Sequence, residues 1–151
     1  MKKSIIALAL VVASVSAIGQ GTVQFANLGV GLNAPVTIDV IGGTKAAAGY
    51  MAQLALDVGG SLTPVGAAAN FIGSGAPGYF SGGVVTVSQV APGASGTFRV
   101  FAWDSTAGSA TTYAAALTAW QGGLTHGNWS APVTIATGGA GIPAGPPASR
   151  V

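Results

Sequence analysis

One histidine, three aspartates, no glutamate and no cysteine make up the acid, base and soft-ligand chemistry of this 151-residue chain. Paired carboxylates for glycoside hydrolysis would require two of Asp39, Asp57 and Asp104 to meet across one cleft. Asp39 and Asp57 fall on outward faces of predicted strands, and nothing in the spacing makes them converge. A Ser-His-Asp arrangement would have to use His126, and the Gly-x-Ser-x-Gly elbow is absent, with only Gly73-Ser74-Gly75 as a superficial echo. His126, in Leu124-Thr125-His126-Gly127, reads as an exposed loop residue. Zinc needs three or four nitrogen or sulfur ligands, and calcium needs clustered oxygens. The composition supplies neither, and it carries no phosphate loop or dinucleotide fingerprint. No catalytic residue, metal site or cofactor is assigned, and the chain reads as a non-enzyme.

The aromatic residues offer the one binding hypothesis. Trp103, Tyr113, Trp120 and Trp129 fall in one short stretch, and tryptophan faces can stack on sugar rings as on other planar groups. Large aromatics more often serve packing. On that ground Trp103 and Trp120 are expected to join a helix to a sheet, while Trp129, in Gly127-Asn128-Trp129-Ser130, is expected at the surface.

These residues sit in a chain whose beginning reads as an export signal. Lys2 and Lys3 precede an apolar run from Ile5 to Ala13, and Val15-Ser16-Ala17 offers small residues at the −3 and −1 positions of a signal peptidase site. The run is well short of the ~20 residues a spanning helix needs, so cleavage near Ala17 is expected to leave no stable membrane span. The absence of cysteine excludes a lipid-modified N-terminal Cys. Five basic residues face three acidic ones overall, and Lys2 and Lys3 account for the whole excess. The mature part keeps Lys45, Arg99 and Arg150 against Asp39, Asp57 and Asp104 and is neutral. Three scattered cations cannot displace the counterions of a phosphate backbone, so nucleic acid is excluded as a partner.

The remaining roughly 134 residues have the size of one domain. About half the chain is apolar, enough to form a core despite the scarcity of charge. All 25 glycines follow the cleavage site, and clusters of them between alternating segments imply tight turns joining short strands. With no disulfide and few charges to oppose association, the domain is expected to rely on packing or on assembly with copies of itself.

Period-two alternation predicts strands at Thr22–Phe25, Val36–Val40, Tyr50–Val58, Val85–Val87 and Pro132–Ala136, with a brief pairing at Phe71-Ile72. Tyr50, Ala52, Leu54, Leu56 and Val58 share one face, with Gln53 and Asp57 opposite. Ser61–Val65 contains Pro64 and is expected to be an edge or irregular stretch. Thr97–Trp103 is apolar on both sides and is expected to be central. Tyr113, Ala116, Leu117 and Trp120 recur at helical spacing, with Ser109 or Thr111 as the cap and Gly122-Gly123 as the stop. This helix is expected to cover the sheet face bearing Phe101 and Trp103. The expected fold is all-β: a two-layer antiparallel sandwich, Ig-like or jelly-roll-like, over residues 18–137 with one short helix. A Gly/Pro-rich flexible tail is expected over residues 138–151. An outer-membrane barrel is disfavoured, because its strands need about 9–11 residues and aromatic girdles.

Several segments together resemble bacterial exported proteins of the PEP-CTERM type. They are Gly21–Asn27, Gly78–Gly83, Ala91-Pro92-Gly93, Ala102-Trp103-Asp104 and the alanine-rich helix from Tyr113. The resemblance spans most of the mature part through loose, non-catalytic motifs, and it implies a role in the cell envelope or extracellular polymer matrix. The Pro-Glu-Pro signature, terminal apolar helix and basic cluster of that family are not in this sequence, so anchoring by that route does not carry over. The expected function is therefore that of an exported, non-enzymatic structural or matrix protein, secreted or held in the bacterial envelope. A carbohydrate-binding module and a self-assembling surface or pilus-like subunit are the alternatives. The expected partners are the chain itself or extracellular polysaccharide.

Overall fold

The structure is a computed structural model that describes residues 19–29, 32–38, 43–107 and 110–139. The chain order is β1 (Gly21–Ala26), β2 (Leu28–Gly29), β3 (Leu32–Asn33), β4 (Tyr50–Val58), β5 (Ser61–Asn70), β6 (Ser81–Val87), β7 (Ser95–Asp104), α1 (Tyr113–Gln121), β8 (Gly127–Trp129) and β9 (Val133–Ala136). All pairings are antiparallel. One sheet runs β5-β4-β7, with β8 and β9 sharing the far edge of β7, and a second sheet is the ribbon β1-β6. Among the described residues the architecture is an all-β sandwich with one short helix.

Alternation decides which residues fill it. Ala52, Leu54 and Leu56 of β4 and Phe98 and Val100 of β7 meet Val23 and Phe25 of β1 and Val85 and Val87 of β6 in the core between the sheets. The two sheets are also joined at both margins. On one side Thr22 exchanges two main-chain hydrogen bonds with Gly138, at 2.9 and 2.8 Å. On the other, Phe71 pairs with Phe80 between the end of β5 and the start of β6. A bridge at each margin thus ties the two sheets together, while most of β5 remains an edge.

Strand β7 is central, as expected, and is buried on both faces because α1 covers the side away from the ribbon. Phe101 and Trp103 pack there against Ala110, Ala116 and Ala119. Alanine lets the helix backbone come close to the rings, so Ala119 takes the core position expected for Leu117. The helix starts at Thr112, whose hydroxyl accepts from Ala115 N–H at 3.3 Å. That places the cap at Thr112 and not at Thr111 or at Ser109, which lies outside the described residues; Gly122 follows the last turn.

Four further differences have local causes. Val36–Ile38 forms no sheet strand: its main chain bonds to Gly78, Thr44 and Ala46 in a loop, with one bridge between Thr37 and Lys45. The rest of that predicted strand, including Asp39, lies outside the described residues. β5 continues to Asn70, and Pro64 is tolerated because β5 is an edge strand, where its missing N–H can face away from β4. Gln53, placed on the polar side of β4, is only 3 % exposed. The β4–β5 register shifts at this residue, and its Nε2 donates to the carbonyls of Val65 at 2.8 Å and Leu54 at 3.1 Å, filling the bulge. Val58, expected to face inward, is exposed beside the Gly59-Gly60 turn.

Gly66, just past the Gln53 contact, has φ +69, and a β-carbon there would stand 2.7 Å from Val85 Cγ1. Both the left-handed backbone and the close approach to the ribbon require glycine. Gly66→Ala should lower stability by about 1–3 kcal/mol in thermal or urea denaturation.

The segment read as an export signal lies outside the described residues, as do residues 140–151. Gly138, assigned to the flexible tail, is instead part of the margin between the sheets. No helix among the described residues is long and apolar enough to cross a membrane.

Candidate functional site

The four aromatics singled out in the sequence converge on one neighbour, Phe101, which is fully buried. Its ring centroid lies 5.5 Å from Trp103, 6.2 Å from Tyr113, 5.5 Å from Trp120 and 4.9 Å from Trp129. Trp103 is 1 % exposed, and its Nε1 donates to the Ala110 carbonyl at 2.6 Å. It therefore offers no ring face to a ligand in this conformation, and its part is packing. Tyr113 and Trp120 are half-buried between helix and sheet. Burial raises the Tyr113 phenol above its ordinary range.

Trp129, expected in a surface loop, lies instead on β8, opposite Phe101. It is half-buried, with Tyr113 edge-on at 6.1 Å and the Arg99 guanidinium 5.6 Å from its ring centre. A three-residue strand flanked by glycine and serine gives too short an alternation to be distinguished from a loop in sequence. The adjoining Ser130 completes this edge. Its N–H donates to Val100 O at 2.8 Å, its Oγ accepts from Val100 N–H at 2.9 Å, and its carbonyl accepts from Arg99 Nε at 3.0 Å. Ser130 thus joins β8 and β9 along β7.

The same alternation that turns Trp129 toward α1 leaves Asn128, paired with Ala102, on the opposite side. There a cleft of about 510 Å³ opens between the β7-β8-β9 side of the large sheet and the loop carrying Val36–Ile38, and sequence reasoning did not find it. Its walls include Val36, Ile38, Tyr50, Val100, Ala102 and Val133, with Thr37, His126 and Asn128 among its polar residues. Trp103 and Trp129 also border it, although their rings belong to the cluster on the other face. The cleft depends on a loop and two edges meeting, which no local pattern encodes.

The acid–base groups are dispersed. Asp57 accepts from Gly60 N–H at 2.8 Å in the β4–β5 turn. Asp104 lies opposite Tyr50, at the other end of β4 from Asp57. Seven residue steps along β4 separate the two positions, about 23 Å at a strand rise of ~3.3 Å, far beyond any carboxylate pair. Asp104 and His126 are neighbours, joined by a main-chain bond from Asp104 N–H to His126 O at 2.9 Å. The Asp104 carboxylate, however, accepts from Thr106 N–H and Thr106 Oγ1 at 2.8 and 2.6 Å, and from Ala107 N–H at 3.3 Å. It shapes a turn rather than orienting an imidazole. Among the described residues no three histidine, cysteine, aspartate or glutamate side chains come together to hold a metal ion.

Burial pushes the Asp104 carboxyl up, but the Thr106 and Ala107 hydrogen bonds and the nearby His126 outweigh it and hold the group below its ordinary value. A carboxyl with a depressed folded-state pKa adds stability above its unfolded value of ~3.9 and loses it as pH falls through the folded value. Asp104→Asn should therefore remove a small part of the acid-side loss of stability, seen as a shallower fall of melting temperature below about pH 4. A wild-type acid limb retained in the variant would show that this turn plays no part in it.

Searches for a matching family model, a similar curated protein and a similar solved structure each found none.

Proposed function

We propose that this chain is an exported, non-enzymatic structural protein of the bacterial envelope or extracellular matrix, acting through its surface. The observation that carries this reading is the use made of its polar side chains. Asn27, Gln53, Thr125 and Thr137 are the buried polar residues among those described, and each bonds to main-chain groups. No buried side-chain nitrogen or oxygen among the described residues lacks a partner. Asp57 and Asp104 likewise hold turns. Reactive sites gather ionisable groups with strongly perturbed titration; here the buried polar side chains and the two aspartates are engaged in holding loops, turns and bulges. The neutral charge of the mature part and the apolar N-terminal run support export and association.

The test has two parts, both made on the full chain expressed in a bacterium. Mass spectrometry of the extracellular and envelope fractions should find the protein beginning at Ile18. Sedimentation of that purified product should show mass increasing with concentration. Retention in the cytoplasm with Met1 intact, or a monomer at every concentration, would count against export or assembly respectively. Retention on insoluble polysaccharide that Trp129→Ala abolishes would favour the carbohydrate-binding alternative.

A further inference from the structure

We propose that the cleft bordered by Val36, Val100, Ala102 and Asn128 binds a small, uncharged, predominantly apolar molecule with a hydrogen-bonding group at one end. Its volume of about 510 Å³ falls in the ~300–1,000 Å³ range of small-molecule sites, which are typically apolar with a few placed polar groups. The ribbon β1-β6 seals Leu54, Leu56 and Phe98 completely, or nearly so. Toward the C-terminal end of β7, the sheet face at Val100 and Ala102 opens instead on the cleft. Val36 and Ile38 form the facing wall, and Val133 of β9 lies beside them. An apolar ligand would remove these aliphatic surfaces from water, the main source of affinity in such a site.

The chemistry of the lining narrows the ligand class. No lysine, arginine, aspartate or glutamate borders the cleft among the described residues. A charged ligand would lose its hydration there and meet no carboxylate, ammonium or guanidinium group among the described lining residues. Thr37, His126 and Asn128 supply hydroxyl, imidazole and carboxamide groups. Thr37 and Ile38 are half-buried, whereas His126 and Asn128 are exposed, which puts the last two at the mouth. Asn128 Oδ1 already accepts from Trp129 N–H at 2.8 Å, so its Nδ2 hydrogens are the donors left to meet a ligand. Deeper in, Asn27 offers nothing: its Nδ2 donates to the Ala34 and Gly78 carbonyls, and its Oδ1 accepts from Phe80 N–H. The ligand's polar group therefore belongs at the mouth and its apolar body inside. A sugar fits poorly, because it would need polar partners along its length; the rings of Trp103 and Trp129 lie in the cluster on the other face, and of the aromatics on this side Phe80 is buried and Tyr50 half-buried.

The probe is N-phenyl-1-naphthylamine, an uncharged secondary aromatic amine that fluoresces in apolar surroundings, titrated into the purified full chain. Saturable one-to-one binding is expected. Ala102→Phe, which fills the cleft from its floor, should weaken binding at least about tenfold while leaving the melting transition cooperative. If that variant does not fold, Val36→Phe on the opposite wall should give the same loss. Asn128→Ala should give a smaller loss, about threefold. The proposal is overturned by an absence of saturable binding, by binding that survives both filling variants, or by displacement of the probe by a soluble glucan.

Discussion

Replacing Asn27 with alanine should lower folding stability by on the order of 3–5 kcal/mol, a large share of the ~5–15 kcal/mol that holds a domain of this size. Asn27 is 3 % exposed and follows β1 directly. Its Nδ2 donates to Ala34 O at 2.9 Å and Gly78 O at 2.7 Å, and its Oδ1 accepts from Phe80 N–H at 2.8 Å. It thus ties the end of β1 to the start of β6 and to the loop that walls the cleft. Alanine would leave the buried Phe80 N–H and the buried Gly78 carbonyl without partners, at about 1–3 kcal/mol each, and would free the more exposed Ala34 carbonyl. Urea denaturation of the two proteins measures the difference, and a loss below about 1 kcal/mol would mean that water replaces the clamp.

Asn27→Asp separates charge from shape. Aspartate keeps the acceptor for Phe80 N–H but sets a carboxylate against the Ala34 and Gly78 carbonyls. Burial and that opposition should raise its folded-state pKa above the unfolded ~3.9. A raised pKa gives stability that is fully present below the unfolded value and lost as pH rises through the folded one. Relative to wild type, the variant should be nearest in stability in acid and fall behind toward neutrality. An equal deficit at every pH would show that the carboxyl does not titrate in the fold.

Phe101→Ala is the second large effect, expected at about 3–5 kcal/mol for loss of a fully buried ring and the cavity it leaves. The ring is the common neighbour of Trp103, Tyr113, Trp120 and Trp129, so its removal loosens α1 and β8 together. Near-ultraviolet circular dichroism should lose most of its tryptophan signal while the far-ultraviolet strand signal stays. Phe101→Leu, which keeps much of the volume, should cost less than half as much. Equal losses for the two variants would mean that the aromatic contacts, rather than the filled volume, hold the helix in place.

The strands around these residues were largely legible in the sequence, because burial on one face leaves a period-two record. Val85 and Val87, Leu54 and Leu56, and the doubly apolar run of β7 all lie where alternation puts them. Gln53 was not legible: a polar residue in an alternating strand reads as solvent-facing, and only the bulge against Val65 gives it buried partners. Asn27 stood inside a segment used for a family resemblance, and so did Gly78 and Phe80, but nothing local says that one amide joins them across 51 and 53 positions.

The few acid, base and aromatic groups of the sequence take on different parts in the fold. Composition by itself determined that acid, base and metal-ligating groups are few, that the charge excess lies in Lys2 and Lys3, and that short strands separated by glycine turns must build the body. Those are additive properties of residues and their neighbours. Tertiary structure decided what the few remaining functional groups do. It placed Asp57 near the end of β4 and Asp104 at the end of β7, both as turn-holders, gathered the tryptophans around Phe101, and opened a cleft on the far side of β8. Each of these depends on which face of a strand meets which distant segment. That is a matter of register and long-range pairing, and alternation alone leaves it undetermined.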